Sequence, residues 1–153
     1  MLPDDDQPMP PAPASQDLAI PVPHQAPDGP FWERDRVAAA LGMMLEHSSP
    51  GKAVVTMTVG PDMLNAHGMC HGGMIFSLAD STFGVACNGY DHVTVGVHCD
   101  ISYLRPARLG DRLTAHARES HREGRNGIYD VEVRNDRGEM VALFRGRSRE
   151  MRR

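Results

Sequence analysis

The sequence predicts an α+β domain in which a mainly antiparallel sheet packs on one long helix. Two observations lead to this fold class: an apolar helical pattern fills residues 73–87, and four strand-like segments joined by short turns follow it. Consecutive strands with short connections pair antiparallel, and a helix with one apolar face buries that face against such a sheet. With 153 residues and no internal repeat, the chain has room for one domain.

Residues 1–30 differ in composition from the rest of the chain. They hold nine of the twelve prolines, with few large apolar residues between them. A segment of this kind cannot bury enough apolar surface to fold. We therefore expect a disordered tail over residues 1–30 and a folded domain over residues 31–153.

A first helix is expected over residues 32–46 and a strand over residues 52–60. In the first segment the apolar residues recur at helical spacing through an alanine-rich stretch, as Trp32, Val37, Leu41 and Leu45. That pattern breaks at residues 48–51. In the second segment apolar residues alternate until Gly60 and Pro61, which is typical of a strand.

The second helix, over residues 73–87, is the longest buried element that the sequence predicts. Its apolar stripe consists of Ile75, Leu78, Ala79, Thr82, Phe83 and Ala86. Asn88 and Gly89 then supply a left-handed stop.

Four further strands are predicted after this helix, and they complete the sheet. They cover residues 93–104, 112–121, 127–134 and 140–149, with turns at 106–110, 123–126 and 135–138. The last turn, Asn-Asp-Arg-Gly, is a strong hairpin signal.

Charge and hydropathy exclude several classes of partner. The formal net charge is -4, with acidic and basic residues mixed along the chain, so we expect no nucleic acid and no anionic membrane as a partner. No apolar run approaches the roughly 18 residues that span a bilayer, and the first residues are acidic and proline-rich. These features predict a cytoplasmic protein.

The three cysteines, Cys70, Cys87 and Cys99, are an odd number, which favours reduced thiols over a disulfide framework. Neither Cys-x-x-Cys nor His-x-x-x-His spacing occurs, so no zinc site is expected. There is no Gly-x-Ser-x-Gly elbow and no dinucleotide or phosphate-binding glycine motif, and we expect no cofactor.

Gly72 and Gly73 stand directly before the long helix. The first amides of a helix lack intrahelical acceptors, and together with the helix dipole they favour negative charge. This position is suited to polarising a carbonyl. Alternatively, the two glycines only permit a tight turn into the helix.

Asp80 lies in the middle of the apolar helical pattern, where aspartate is a poor helix former. Its helical angle puts it beside the buried stripe. One interpretation is a partly desolvated carboxylate with a raised pKa, suited to general base or nucleophile work. The other is a solvated polar face shared with Ser77, Ser81 and Gly84.

The spacing of Gly72 and Asp80 bears on how they act together. Eight residues along a helix correspond to about 12 Å, which an aspartate side chain cannot span. If both act on one carbonyl, they come from two subunits related by a twofold axis. A Cys70–His71 nucleophile and base pair is a weaker alternative, because adjacent residues at a turn point in different directions.

Four segments together closely resemble the hotdog thioesterases of bacterial phenylacetate degradation, the PaaI type. They are HGGMIFSLAD at 71–80, YLRPARLGD at 103–111, GIYDVEV at 127–133 and VALFRGRS at 141–148. The resemblance covers residues 32–150. It implies a five-stranded antiparallel sheet wrapped around a long central helix, in homodimers and usually in dimers of dimers, that is, a homotetramer.

The resemblance also implies an activity, which is hydrolysis of acyl-CoA thioesters, with phenylacetyl-CoA and its ring-hydroxylated forms as the substrate class. It assigns the carbonyl-polarising amide to Gly72 and the base or nucleophile, on the facing subunit, to Asp80. Asn65 is expected to orient water or the acyl group, His71 to shape the start of the helix, and Ser81 to add a hydroxyl beside Asp80.

The phosphates of CoA need basic partners, and the strand and turn motifs offer Arg105, Arg125, Arg145 and Arg147. Arginine suits phosphate because its planar fork donates two hydrogen bonds to one group. For each of the four, the alternative is a solvated surface arginine.

Two departures and two rival functions remain. His98-Cys99-Asp100 places polar groups and a thiol in a strand, with an open effect on acyl specificity, and the proline-rich tail has no part in the family pattern.

A hotdog enoyl-CoA hydratase would use a paired histidine and aspartate, which are missing around Asp80. A non-catalytic acyl-CoA-binding module would need no carboxylate on the helix. The sequence does not choose between nucleophile and base for Asp80, or between dimer and tetramer.

Overall fold

The computed structural model describes residues 30–151, so the tail predicted over residues 1–30 lies, except for Pro30, outside the described residues. Two helices are present, α1 at Arg36–Ala40 and α2 at Gly72–Cys87, with short 3₁₀ turns at Trp32–Arg34 and Pro61–Met63. The strands are β1 Met44–Ser49, β2 Lys52–Thr58, β3 Thr94–Tyr103, β4 Arg112–Glu123, β5 Asn126–Arg134 and β6 Met140–Glu150.

The strands form one antiparallel sheet in the order β1-β2-β4-β5-β6-β3. The sheet wraps α2, which packs against all six strands. This arrangement confirms the α+β class and the hotdog fold, with six strands instead of the five expected. β1 and β3 form the two edges of the sheet within the described chain.

The core lies between α2 and the inner face of the sheet. Inward-facing residues alternate along the strands, and the largest buried side chains include Met57, Leu78, Leu113 and Tyr129. The ring of Phe83 on α2 lies 5.4 Å from that of Tyr129, centroid to centroid. These contacts fix the rotation of α2 about its own axis, and so they fix which residues of α2 face outward.

The helix predicted over residues 32–46 is wrong beyond Ala40. Asp35 caps α1 by accepting a hydrogen bond from an amide of its first turn, and Gly42, with a φ of +64°, ends the helical stretch after one and a half turns. The chain then forms β1, an edge strand that a two-residue turn joins to β2. Gly51 in that turn has a φ of +75°, which favours glycine. The periodicity of the apolar residues was therefore misleading, and Gly42 was the signal against it.

The other predicted elements are confirmed with shifts of one or two residues at most of their ends. The helix expected over 73–87 is α2, and the four strands expected after it are β3 to β6. Within residues 30–151, none of the helices combines the length and apolarity needed to cross a membrane.

Candidate active site

The N-terminus of α2 presents a single free amide. The Gly73 amide donates to Nδ1 of His71 over 2.9 Å, and the Met74 and Ile75 amides donate to the His71 carbonyl. His71 is thus the N-cap of α2. The Gly72 amide has no acceptor among residues 30–151, so the positive end of the helix dipole is presented through this one donor.

The loop before α2 is held by Asn65. Its side-chain oxygen accepts hydrogen bonds from the amides of His67, at 2.9 Å, and Met69, at 3.2 Å. The His71 amide donates to the Met63 carbonyl at 2.7 Å, which ties the end of the loop to its beginning. Asn65 therefore shapes the loop with its oxygen, while its amide nitrogen stays available, since no hydrogen bond uses it within the described chain.

Tyr103, at the end of β3, holds the other side of this helix start. Its hydroxyl donates to the Gly72 carbonyl at 2.8 Å. A Cβ at position 72 would lie 3.1 Å from the tyrosine ring, so a larger residue there fits only if the ring or the backbone shifts. Sequence reasoning missed Tyr103 as a site residue, although it begins one of the recognised motifs, because 31 residues separate it from its partner.

A cavity of about 390 Å³ opens beside Gly72. It is lined by Asn65, Tyr103 and Arg105 and by the apolar residues Met69, Ile75, Leu104 and Pro106. Gly72, Asn65 and Arg105 thus border a mainly apolar space.

Asp80 lies eight residues further along α2, about 12 Å away at the usual helical rise. Its side chain reaches solvent but lines a separate cavity of about 520 Å³. The apolar part of that cavity consists of Phe31, Val37, Phe76, Phe83, Gly84 and Val95. Within one chain, the amide and the carboxylate therefore open into different cavities.

The surroundings of Asp80 raise the pKa of its carboxyl above the usual range. Partial burial is the main cause; the Cys99 thiol lowers the pKa by donating to Oδ1 over 3.8 Å, and the charge of Asp35 raises it. Asp80 is thus a solvent-accessible residue of α2 with a partly desolvated carboxyl, and it combines features of both interpretations. Ser81 does not bond Asp80; its hydroxyl donates to Oδ2 of Asp35 at 2.7 Å.

The four candidate arginines lie in different places. Arg105 lines the cavity beside Gly72. Arg125 is half-buried in a small recess next to Glu150. Arg145 and Arg147 lie exposed on β6, and Arg145 is paired with Asp130 at 2.7 Å. Only Arg105 of these four is brought to the Gly72 cavity.

The three cysteines are free. Burial raises the pKa of Cys70 to about 11, of Cys87 to about 12 and of Cys99 to about 11. Cys70 donates to the backbone carbonyl of His71, at 3.7 Å, and not to its imidazole. A neutral thiol without a base beside it is a poor nucleophile, which argues against the Cys70–His71 pair. In the part of the chain described, no group of three His, Cys, Asp or Glu side chains is placed to hold a metal ion.

Comparison with known proteins agrees with the resemblance seen in the sequence and with the fold. Residues 67–142 match the thioesterase superfamily. The chain is 48% identical to the acyl-coenzyme A thioesterase PaaI of Escherichia coli over 118 residues, which cover 77% of this chain and 84% of that protein.

Solved structures of similar fold include thioesterase-family relatives. The structure of the E. coli PaaI protein from the phenylacetic acid degradation operon superimposes with a TM-score of 0.77 at 46% identity, covering 79% of this chain and 88% of that one. A Streptococcus mutans protein bound to acetyl-CoA superimposes with a TM-score of 0.69 at 28% identity, covering 71% and 88%.

Proposed function

The chain belongs to the PaaI-type acyl-CoA thioesterases of the thioesterase superfamily, and on this basis we propose that its substrates are aryl-acyl-CoA thioesters. Phenylacetyl-CoA and its ring-hydroxylated forms, hydrolysed to the free acid and CoA during phenylacetate degradation, are the substrates we expect. The observation that carries the proposal is the single free amide, that of Gly72, at the start of the helix that also bears Asp80.

Gly72 is the oxyanion donor of the proposed mechanism. The thioester carbonyl oxygen accepts a hydrogen bond from the Gly72 amide, and the developing negative charge lies on the axis of α2 at its positive end. His71 uses its carbonyl and ring nitrogen to satisfy the neighbouring amides, so the site offers one donor in a fixed direction.

Asp80 of the facing subunit supplies the second function. As a general base it takes a proton from water while the water oxygen attacks the carbonyl carbon; the carbon–sulfur bond then breaks and CoA leaves as the thiolate. As a nucleophile its carboxylate attacks the same carbon, the carbon–sulfur bond breaks and CoA leaves as the thiolate, and water then hydrolyses the mixed anhydride to the free acid and the Asp80 carboxylate. A raised pKa strengthens Asp80 as a base in either case.

A homodimer with shared sites follows from the two separate cavities, because a catalytic site needs both the amide and the carboxylate. The edge strand β3 offers a surface for a twofold partner, with Val95 41% and Val97 57% exposed. A pair of such dimers would form a homotetramer.

The Asp80 cavity fits the aryl part of the substrate, because the rings of Phe31, Phe76 and Phe83 contribute to its walls. Arg105, at the Gly72 cavity, is the best placed of the four arginines for a CoA phosphate. Arg125, Arg145 and Arg147 would meet CoA only where the partner subunit brings it to them.

Asn65 orients water or the acyl group with its available amide nitrogen. We place the reaction in the cytoplasm.

The test compares the parental protein with Asp80→Asn on phenylacetyl-CoA. Because Asn keeps the shape and removes the charge, we expect turnover to fall by about 10² or more while substrate binding and the melting temperature stay close to parental values. Hydrolysis by a folded Asp80→Asn protein at the parental rate would contradict the proposal.

A single turnover in ¹⁸O-water distinguishes the two mechanisms, since label in Asp80 after the first turnover requires the anhydride.

A further inference from the structure

We propose that Asp35 is a positioning residue for the catalytic carboxylate, holding through Ser81 the part of α2 that carries Asp80 and placing a second carboxylate in the Asp80 cavity. This inference rests on the proposed role of Asp80. It adds a residue that lies outside all four recognised motifs, 45 positions before Asp80 in the sequence.

The two oxygens of the Asp35 carboxylate have different partners. Oδ1 accepts from the Ala38 amide at 2.9 Å and caps α1. Oδ2 accepts from the Ser81 hydroxyl at 2.7 Å. A helix cap requires only the first of these hydrogen bonds. The second joins the start of α1 to α2 at the residue directly after Asp80.

Asp35 and Asp80 also line the same cavity. A neighbouring negative charge in an apolar-walled space disfavours the ionisation of a carboxyl, and the charge of Asp35 raises the pKa of the Asp80 carboxyl. The opposing influence comes from β3, where the Cys99 thiol donates to Asp80. Cys87 also lines this cavity, and burial keeps its thiol neutral. No cation is paired with Asp80 among residues 30–151, so the repulsion by Asp35 is not offset by a salt bridge.

The two effects of Asp35 can be separated by substitution. Asp35→Asn removes the charge but retains the N-cap, because Asn caps helices as well as Asp does. Ser81→Ala removes the hydrogen bond and leaves both carboxylates, whereas Ser81→Thr retains a hydroxyl. Asp136→Asn is the matched control, since it removes one exposed carboxylate in the turn between β5 and β6, outside the cavity that holds Asp80.

We expect Asp35→Asn to move the acid limb of the pH profile of kcat/KM to lower pH. Catalysis requires ionised Asp80, and loss of a neighbouring negative charge makes Asp80 easier to ionise. The pKa of the Asp80 carboxyl, followed directly by ¹³C NMR titration, should fall in the same direction, while Asp136→Asn leaves both measurements at parental values. Ser81→Ala should lower kcat severalfold with little change in KM, and Ser81→Thr should restore it.

These outcomes separate the inference from the function on which it rests. An unchanged Asp80 titration in a folded Asp35→Asn protein overturns the role of Asp35, even if Asp80→Asn is inactive. If Asp80→Asn is fully active, the proposed function fails, whereas the NMR titration still reports whether Asp35 acts on Asp80. A melting temperature that drops while the pH profile and kcat stay parental would reduce Asp35 and Ser81 to a structural link.

Discussion

The Tyr103 hydroxyl donates a 2.8 Å hydrogen bond to the carbonyl of Gly72, and the ring of the same tyrosine lies where a side chain at position 72 would be. Tyr103 lies at the end of the edge strand β3, and its hydroxyl holds the carbonyl of Gly72 in place. Gly72 is also the residue whose amide is free at the start of α2. This one side chain thus orients the Gly72 peptide and leaves little space for a side chain at position 72.

Gly72→Ala is expected to lower kcat/KM by about 10² to 10³, the range seen when an oxyanion donor is lost. The reason is that the added Cβ meets the ring at 3.1 Å, and any shift of the peptide that relieves this contact redirects the amide at position 72. Steady-state kinetics on phenylacetyl-CoA measures this loss. The double variant Gly72→Ala with Tyr103→Ala removes the obstacle, so part of the activity should return; equal activity of the single and double variants would show that the contact does not matter.

Mixed subunits test whether the amide and the carboxylate come from different chains. A dimer of one Gly72→Ala subunit and one Asp80→Asn subunit has one site with both functions intact and one with neither. We expect it to recover activity that both parent homodimers lack, measured after subunit exchange is verified by mass spectrometry. If verified mixed dimers stay inactive, the sites are not shared.

Cys99→Ala is expected to move the acid limb of the kcat/KM profile to higher pH, the opposite direction from Asp35→Asn. The thiol lowers the pKa of the Asp80 carboxyl by donating to it, so its removal raises that pKa, and ionised Asp80 is then lost at a higher pH. Cys99→Ser retains a donor and should stay close to the parental profile. A Cys99→Ala limb at lower pH would mean that the thiol does not act as a donor.

Gly146→Ala is expected to destabilise the fold by about 1 to 3 kcal/mol, as overpacking in a core does. A Cβ on this β6 residue would lie 2.9 Å from three atoms of the Phe83 ring, which is itself buried. Urea unfolding measures the change. Gly60→Ala is the control, because nothing lies within 4 Å of its Cβ and its φ of −91° suits alanine; a similar loss there would point to chain flexibility instead of packing.

Much of this fold could be predicted from the sequence because its main elements have regular patterns. The apolar stripe of α2 and the alternation in β4, β5 and β6 are local properties, and each was predicted nearly to its ends. The strand β1 was missed because an edge strand that faces solvent carries no clear alternation, and Leu45 continued the helical spacing of the preceding apolar residues by chance.

The sequence was enough to predict some residues of the candidate site, but it was not enough to predict which residues are in contact. Gly72 and Asp80 stand out because glycines before a helix and a carboxylate within an apolar stripe break local rules. Asp35 with Ser81, and Cys99 with Asp80, are pairs separated by 46 and 19 residues, and only the folded chain brings them together. No spacing rule relates residues on different elements, so these contacts could not be predicted from one sequence.

The three neutral thiols have a practical consequence for a protein that makes a thiol product. With a pKa of about 11 or 12, each cysteine is a thiolate in only about one molecule in a thousand, or fewer, at pH 8. Aromatic disulfide reagents react with thiolates, so in a colorimetric assay at that pH they would titrate released CoA and leave the enzyme almost unlabelled. By the same chemistry, oxidised CoA that accumulates near the protein should form mixed disulfides with it only slowly, and turnover should be insensitive to such oxidation.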